Sequence, residues 1–310
     1  MSDFRSGFAS LIGRPNAGKS TLLNALSGEK LAIVSEKPQT TRTTIQGVVN
    51  LPDAQIVFID TPGIHKSTTL FNQRMMETVR TALEDRDVLL FVADASIPFS
   101  TADADAVSIV QNLSTPTLLL ANKIDRVQDK RKLLPFIEQY KAIREFDEYI
   151  PVSATTGEGL DRVREAIVSR LPEGPAYFPT DHLTDQPERF LAGELIREQI
   201  LRQTHQEVPH AVAVMIERWE ESAKITKISA TIYVERDGQK AIVIGAGGAA
   251  LKKIGTHARL EIEKMLGRKV FLELFVKVQK DWRENPEFLN AIDWRSMRGG
   301  ELDSDEGSVP

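Results

Sequence analysis

The first 171 residues alternate short apolar runs with segments whose apolar residues recur at helical spacing. The runs predict six strands, at residues 8–12, 47–51, 55–59, 88–93, 117–121 and 148–152. The intervening segments predict five helices, at residues 19–27, 70–83, 102–111, 130–140 and 160–169. Strands separated by helices indicate crossover connections, a largely parallel sheet and an α/β fold. Ligands of such sheets bind beyond the carboxyl ends of the strands, so the loops there are the first place to look for chemistry.

A second pattern follows a stretch rich in proline and aspartate. It predicts a helix at 188–202, strands at 208–220 and 225–235, two helices around a glycine-rich break at 245–248, and a strand at 270–279. The continuous apolar run 211–216 predicts that the first of these strands is well buried. We therefore expect a first domain at 1–172, a linker at 173–187, an α+β domain at 188–298 and a disordered acidic tail at 299–310.

Composition narrows the protein class. The 310 residues are 41% hydrophobic and 27% charged, and none is cysteine, which excludes a disulfide framework, a thiolate metal site and a cysteine nucleophile. No apolar run approaches the ~20 residues of a transmembrane helix, and the first residues lack the apolar core of a signal peptide. We expect a cytoplasmic protein. The net charge of −5 argues against a generally basic nucleic-acid binder but allows a local basic site.

The loop after the first predicted strand has the P-loop pattern G-x-x-x-x-G-K-S and precedes a predicted helix. Its backbone N–H groups and the helix dipole are expected to face phosphate, Lys19 to reach the β- and γ-phosphates, and Ser20 to offer its hydroxyl to Mg²⁺. The alternative is a glycine-containing turn before a helix. The expected phosphate-binding residues are Gly13, Arg14, Pro15, Asn16, Ala17, Gly18, Lys19, Ser20 and Thr21.

Three further motifs follow later strands. Asp60-Thr61-Pro62-Gly63 places a carboxylate where it can hold Mg²⁺ through water, and a glycine that can give its N–H to a γ-phosphate. Asn122-Lys123-Ile124-Asp125 offers a carboxylate that accepts hydrogen bonds from both N1–H and the 2-amino group of guanine. In Ser153-Ala154-Thr155 a backbone N–H can read guanine O6. Each motif alone also fits an ordinary turn, and their order favours a guanine nucleotide.

This order of motifs resembles the translation-factor class of GTPases, and the run Pro38-Gln39-Thr40-Thr41-Arg42 resembles its Era-like branch. The resemblance implies that Thr41 is the switch I ligand of Mg²⁺ and γ-phosphate, with Thr40 or Thr43 as alternatives. It also implies catalytic roles for Lys19, Thr41 and Gly63, and a mobile switch II segment at 66–69.

Two positions bear on the rate of hydrolysis. Ile64 stands where Ras-like enzymes carry a water-orienting glutamine, so the resemblance implies slow intrinsic turnover. Asn16 matches the P-loop asparagine that holds K⁺ in potassium-dependent relatives, and ordinary P-loop packing is its alternative role.

The glycine-rich break predicts an RNA site. A G-x-x-G turn between two helices lets a single RNA strand approach the backbone, and six basic residues against two glutamates lie at 245–270. The expected RNA-binding residues are Ile244, Gly245, Ala246, Gly247, Gly248, Lys252 and Lys253. The family usually has a lysine or polar residue at one of the two central loop positions, which here are Ala246 and Gly247. Lys252 or Lys253 is expected to compensate.

Residues 7–295 resemble the bacterial Era family as a whole. The resemblance implies a P-loop NTPase domain followed by a type II KH domain, with GTP or GDP and Mg²⁺ as ligands and K⁺ as a further candidate. It implies binding to the 3′ end of 16S ribosomal RNA (A-U-C-A-C-C-U-C-C), assistance to 30S subunit assembly, a monomer, and peripheral contact with the cytoplasmic membrane. The alternatives are an ATP-using P-loop enzyme with a helical domain that binds no RNA, and an RNA chaperone that binds nucleotide without turnover.

Overall fold

The computed structural model describes residues 4–64, 69–204 and 208–294, which form two compact units. The first unit comprises Met1–Ser67 and Gln73–Asp185, and the second comprises Thr68–Asn72 and Gln186–Pro310. The predicted acidic tail, and all but the last residue of the predicted mobile segment 66–69, lie outside the described residues.

The first unit contains a six-stranded sheet in the order β2-β3-β1-β4-β5-β6. Its strands are β1 Arg5–Ile12, β2 Ile45–Asn50, β3 Ala54–Asp60, β4 Val88–Asp94, β5 Thr117–Asn122 and β6 Glu148–Pro151. All neighbours pair in parallel except β2 and β3, which are antiparallel. The largely parallel sheet confirms the α/β prediction.

Five helices cover both faces of this sheet. They are α1 Lys19–Ser27, α2 Leu70–Thr81, α3 Thr101–Val110, α4 Leu133–Lys141 and α5 Leu160–Val168. Alternate residues of β4 enter two different cores, with Leu90 in the core that includes residues of α1 and α5 and Phe91 in the core that includes residues of α3 and α4. Because both faces are buried, the strands are continuous apolar runs rather than alternating ones.

Residues 173–185 continue along the first unit. The Gln55 side chain accepts hydrogen bonds from the backbone N–H groups of Tyr177 (2.7 Å) and Phe178 (2.9 Å). The backbone N–H of Val48 in β2 donates to the Leu183 carbonyl at 2.8 Å. The segment predicted as a linker is thus hydrogen-bonded to β2 and β3, and the first unit extends to Asp185.

The second unit has the element order α-β-β-α-α-β of a type II KH fold, followed by a short helix. Its elements are α6 Glu188–Gln203, β7 Ala213–Glu221, β8 Ile225–Val234, α7 Asp237–Ile244, α8 Ala249–Leu266, β9 Lys269–Val278 and α9 Pro286–Ala291. β8 pairs antiparallel with β7 and parallel with β9. The predicted KH fold is confirmed. Among the described residues, none of the helices has both the length and the apolar composition needed to cross a bilayer.

The prediction of a well-buried first strand in this unit is wrong. Val208–His210 forms a turn of 3₁₀ helix, β7 begins only at Ala213, and Val214, Met215 and Ile216 are half-buried. β7 is an edge strand of a three-stranded sheet. Such a strand has only one neighbour to cover it, so a continuous apolar run does not ensure burial.

Candidate functional site

The P-loop joins β1 to α1 and surrounds a buried lysine. Lys19 is 6% exposed, and its Nζ donates to the backbone carbonyls of Gly13 at 3.1 Å and Arg14 at 3.0 Å. Burial lowers the pKa of Lys19 to about 8, although the Asp60 carboxylate opposes that shift. The loop therefore concentrates an ammonium group and the N-terminus of α1 at one point, an arrangement suited to phosphate.

Three oxygen-bearing side chains converge beside this lysine. The Ser20 hydroxyl donates to Asp60 Oδ2 at 2.6 Å, and Thr41 Oγ1 lies 2.7 Å from Ser20 Oγ and 3.1 Å from Asp60 Oδ2. The other carboxylate oxygen, Asp60 Oδ1, is buried with no hydrogen-bond partner among the described residues. Burial raises the pKa of Asp60, against the opposing effects of Lys19 and the two hydroxyls. Hydroxyl and carboxylate oxygens are the ligands that Mg²⁺ prefers, so this cluster fits that ion.

The three threonines considered for switch I differ in position. Thr41 is 6% exposed and belongs to the cluster with Asp60. The Thr40 hydroxyl instead donates to the Lys37 carbonyl at 2.6 Å. The Thr43 hydroxyl is buried, with no hydrogen-bond partner among the described residues. The geometry therefore favours Thr41 over its neighbours.

The loop after β3 lies against the P-loop. A Cβ atom added to Gly63 would lie 2.7 Å from Pro15 Cα, so only glycine fits this close approach. Thr61 is buried and donates to the Leu11 carbonyl at 2.7 Å, which anchors the loop to β1. Ile64 is 8% exposed and belongs to the apolar core that contains Phe91, so its side chain is a core group.

The N-K-x-D motif follows β5 and contacts both the P-loop and the loop after β6. The Asn122 side chain donates to the Ala17 carbonyl at 2.9 Å and accepts from the Ala154 N–H at 3.1 Å. Lys123 Nζ donates to the Asn16 carbonyl at 2.6 Å and lies 2.5 Å from Asp94. These contacts hold the N-K-x-D loop, the P-loop and residue 154 together.

Asp125 is exposed and is oriented by a buried neighbour. The Ser153 hydroxyl donates to Asp125 Oδ1 at 2.6 Å, and Ser153 is 0% exposed. Within the part of the chain that the structure describes, no hydrogen bond reaches the second carboxylate oxygen, which can therefore accept from a ligand. Thr155 is exposed, and Thr21 lines the same cleft as Lys19 and Thr41.

One network of the P-loop did not follow from the motifs. Arg14 is one of the predicted phosphate-binding residues of the loop, and its guanidinium lies 2.6 Å from the buried carboxylate of Asp103 in α3, which leaves its backbone for phosphate. The Tyr140 hydroxyl donates to the same carboxylate at 2.8 Å. Burial and the adjacent Asp103 raise the pKa of Tyr140. Only the backbone carbonyl of Arg14 faces Lys19, and the side chain ties the loop to α3. Asp103 also belongs to the capping box of α3 with Ser100, and no local sequence signal connects it to Arg14.

The glycine-rich loop of the second unit caps two helices. Gly245 ends α7 with φ 71°, and Gly248 precedes α8 with φ 80°. A Cβ atom added at Gly248 would meet nothing within 4 Å. Beside the loop a groove of about 400 Å³ is lined by Lys252 but not by Lys253. Its other lining residues are Gly248, Leu251, Gly255, Thr256, Arg259, Leu272 and Leu274. Arg259 and the two β9 leucines were missed, although helical spacing from Lys252 would have placed Arg259 on the same face.

A model of the 50S ribosome-binding GTPase family matches residues 8–123, and a model of the KH domain family matches residues 207–283. Fold, site geometry and these matches define the class: a P-loop GTPase with a KH RNA-binding domain in one chain.

Curated relatives give the family. The chain is 50% identical to the GTPase Era of Geobacter metallireducens over 296 residues, which covers 94% of this chain and 99% of that one. It is also 50% identical to the GTPase Era of Geotalea uraniireducens over 290 residues, with 93% and 97% coverage. The chain belongs to the Era family of GTPases.

Solved structures agree. A crystal structure of Era in complex with MgGDPNP and nucleotides 1506–1542 of 16S ribosomal RNA matches with a TM-score of 0.91 and 39% identity. It covers 94% of this chain and 99% of that chain. A variant of Aquifex aeolicus Era bound to GDP and AlF₄⁻ matches with a TM-score of 0.90, 39% identity and the same coverage.

Proposed function

We propose that the protein binds GTP with Mg²⁺ in the first unit and hydrolyses it slowly. Its KH unit binds the 3′ end of 16S ribosomal RNA, and the cycle of GTP binding and hydrolysis assists assembly of the 30S subunit. The observation that carries the nucleotide half is the cluster of half-buried Ser20 with buried Thr41 and Asp60. In that cluster Asp60 Oδ1 has no hydrogen-bond partner among the described residues. The cluster would hold Mg²⁺, with Lys19 stabilising the charge of the transferring phosphate.

Guanine selection would rest on Asp125. The hydrogen bond from Ser153 orients the carboxylate so that both donors of the guanine edge can reach it. Adenine lacks that pair of donors, which disfavours the ATP-using alternative. A nucleotide competition assay separates the two, and multiple-turnover phosphate release separates a GTPase from a chaperone that only binds nucleotide.

We further propose a K⁺ ion at Asn16. The Asn16 amide lies 2.7 Å from the backbone carbonyl of Glu36, so the P-loop and the switch I region meet there. A half-turn of the amide would present its oxygen beside that carbonyl, and such oxygens are ligands of K⁺. A cation there would offset charge that develops between the β- and γ-phosphates.

Turnover is therefore expected to rise several-fold when K⁺ replaces Na⁺ at constant ionic strength. Asn16→Ala should remove the difference, whereas Asn16→Asp keeps an oxygen ligand and should retain it. Steady-state phosphate release in matched chloride salts measures both. Equal rates of the parent protein in the two salts would leave Asn16 a packing residue.

The RNA half rests on the groove beside the glycine-rich loop. Gly248 gives close backbone access at the N-terminus of α8, Lys252 supplies charge at the wall, and Leu272 and Leu274 form an apolar floor for bases. The solved Era structure that matches this chain contains nucleotides 1506–1542 of 16S ribosomal RNA. We expect the same class of single-stranded RNA here.

Gly248→Asp should weaken binding of the A-U-C-A-C-C-U-C-C RNA by at least about fivefold, more than an ordinary surface change. The new carboxylate would repel phosphate at the loop, and because an added Cβ meets no protein atom within 4 Å, the fold should survive. A fluorescence titration at two salt concentrations measures the affinities.

Two variants control for backbone strain. Gly248→Asn has the same shape and φ without the charge, so it should keep most of the affinity. Gly267→Asp, at the far end of α8 with φ 65° and open space around it, should bind RNA normally. Equal affinity of Gly248→Asp and the parent protein would remove the KH assignment while leaving the GTPase assignment intact. Monomeric state and peripheral membrane contact stay predictions.

A further inference from the structure

The three-stranded sheet of the second unit has one face packed on helices and one face open. Along β9 the residues at even positions contact the helical side, where Val270 and Val276 are buried. The residues at odd positions alternate with these, and all five of them are exposed, although the Lys269 ammonium lies 3.5 Å from Glu263 of α8. They are Lys269, Phe271, Glu273, Phe275 and Lys277. The open face therefore carries aromatic and charged side chains in alternation.

Two large rings are exposed on this face without an evident structural purpose. Phe271 is 49% exposed and Phe275 is 52% exposed, which is unusual for phenylalanine on a strand. They are four positions apart in the chain, so they lie ~13 Å apart along the strand. Lys227 of β8 is the register partner of Phe271 and is also exposed. Phe271 thus has a lysine directly across the strand pair, and Lys277 stands two positions from Phe275 along β9.

The end of the open face near Tyr233 is covered. The Tyr233 ring contacts Phe288 of α9 with centroids 5.0 Å apart. Tyr233 is the register partner of Lys277, the last of the five exposed residues. Thr231, the register partner of Phe275, is also buried, so the covered part of the face extends to the strand beside Phe275, whereas the Phe271 and Phe275 side chains themselves stay about half exposed.

The open face is continuous with the proposed RNA groove. Leu272 and Leu274 line that groove from one side of β9, and Phe271 and Phe275 project from the other side of the same strand. Among the described strands β9 pairs with β8 alone, so it forms an edge of the sheet. A KH loop clamps only about four nucleotides, so a longer RNA needs further surface.

We propose that the open face of the sheet is a second RNA-binding surface, on which Phe271 and Phe275 stack two unpaired bases of the strand that leaves the groove. Lys227 and Lys277 would hold its phosphates. This proposal rests on the proposed function, because it extends the RNA contact of the KH unit. Stacking on isolated aromatic side chains beside cations is how proteins bind single strands without reading their sequence.

The pattern favours RNA over a membrane or a second copy of the chain. Glu273 lies between the two rings and accepts a hydrogen bond from Ser229 at 2.9 Å. On β7, Glu217 accepts from the Tyr233 hydroxyl at 3.1 Å. These carboxylates interrupt the apolar area, whereas membrane and subunit contacts favour continuous apolar patches. Two separate rings with cations beside them suit separate bases.

The test compares a short and a long RNA in the full-length protein. The short RNA is A-U-C-A-C-C-U-C-C, and the long one has the sequence of nucleotides 1506–1542 of 16S ribosomal RNA, as in the solved Era complex. The paired change Phe271→Ala and Phe275→Ala should lower the affinity for the long RNA by about tenfold or more and leave the affinity for the short RNA unchanged. The paired change to leucine, which keeps apolar area without a flat ring, should cause most of the same loss. Leu260→Ala, which removes a half-exposed apolar side chain from α8, is the matched control and should change neither affinity.

The outcomes separate this proposal from the one it extends. Parent and paired variants that bind both RNAs equally would overturn the second surface and leave the KH assignment standing, whereas a parent protein that binds neither RNA would overturn both. Affinity lost with alanine but kept with leucine would overturn stacking. Reduced binding to phosphatidylglycerol vesicles, or loss of a dimer in sedimentation, with long-RNA affinity unchanged, would assign the rings to a membrane or to a second copy and overturn the proposal.

Discussion

Replacing Lys19 with alanine is expected to lower the rate of GTP hydrolysis by at least ~10²-fold and to weaken GTP binding. The ammonium group is the buried positive charge at the P-loop, held by the carbonyls of Gly13 and Arg14. Without it, the charge that develops on the transferring phosphate would have no fixed cation from the protein. Single-turnover phosphate release and a fluorescent GTP titration measure the two losses separately.

The control for this variant is Lys141→Ala. Lys141 is a partly exposed lysine at the end of α4, 3.6 Å from Glu145, and its loss should leave hydrolysis unchanged. Thermal unfolding of both variants checks the fold, since Lys19 also compensates the buried charge of Asp60. Hydrolysis by Lys19→Ala at the parental rate would count against the entire nucleotide site.

The second large effect concerns base specificity. Asp125→Asn should reduce GTP affinity on the order of 10⁴-fold and create affinity for XTP. The asparagine oxygen can still accept the Ser153 hydroxyl, so its NH₂ group would face the base. Because that group is itself a donor, it cannot pair with the two donors of guanine, but it can donate to the 2-oxo group of xanthine. Competition of GTP and XTP against a labelled nucleotide measures the change.

Asp129→Asn is the matched control for Asp125→Asn. Asp129 lies four residues further along the same loop, where its carboxylate binds the backbone and guanidinium of Arg131. Its amide variant should keep full preference for GTP. Unchanged GTP affinity of Asp125→Asn, with no response to XTP, would show that another group selects the base.

Much of the architecture follows from local pattern. The six strands and five helices of the first unit were predicted at nearly their observed positions, because strands buried on both faces are short apolar runs between turn residues. The α-β-β-α-α-β order of the second unit was also predicted. The predicted burial of β7 is wrong, because the apolar run 211–216 does not indicate that its second half lies at a sheet edge.

The sequence by itself determined which residue types stand at the carboxyl ends of the strands, because motif order and spacing are local properties of the chain. Only the tertiary structure decided which of them meet. It brought Thr41, rather than Thr40 or Thr43, to Asp60, and it turned the Arg14 side chain to Asp103 and Tyr140. It also exposed Phe271 and Phe275 on the open side of β9, although strand periodicity alone does not tell which side the helices cover. Such choices depend on contacts between residues far apart in the chain, and neither spacing nor composition records them.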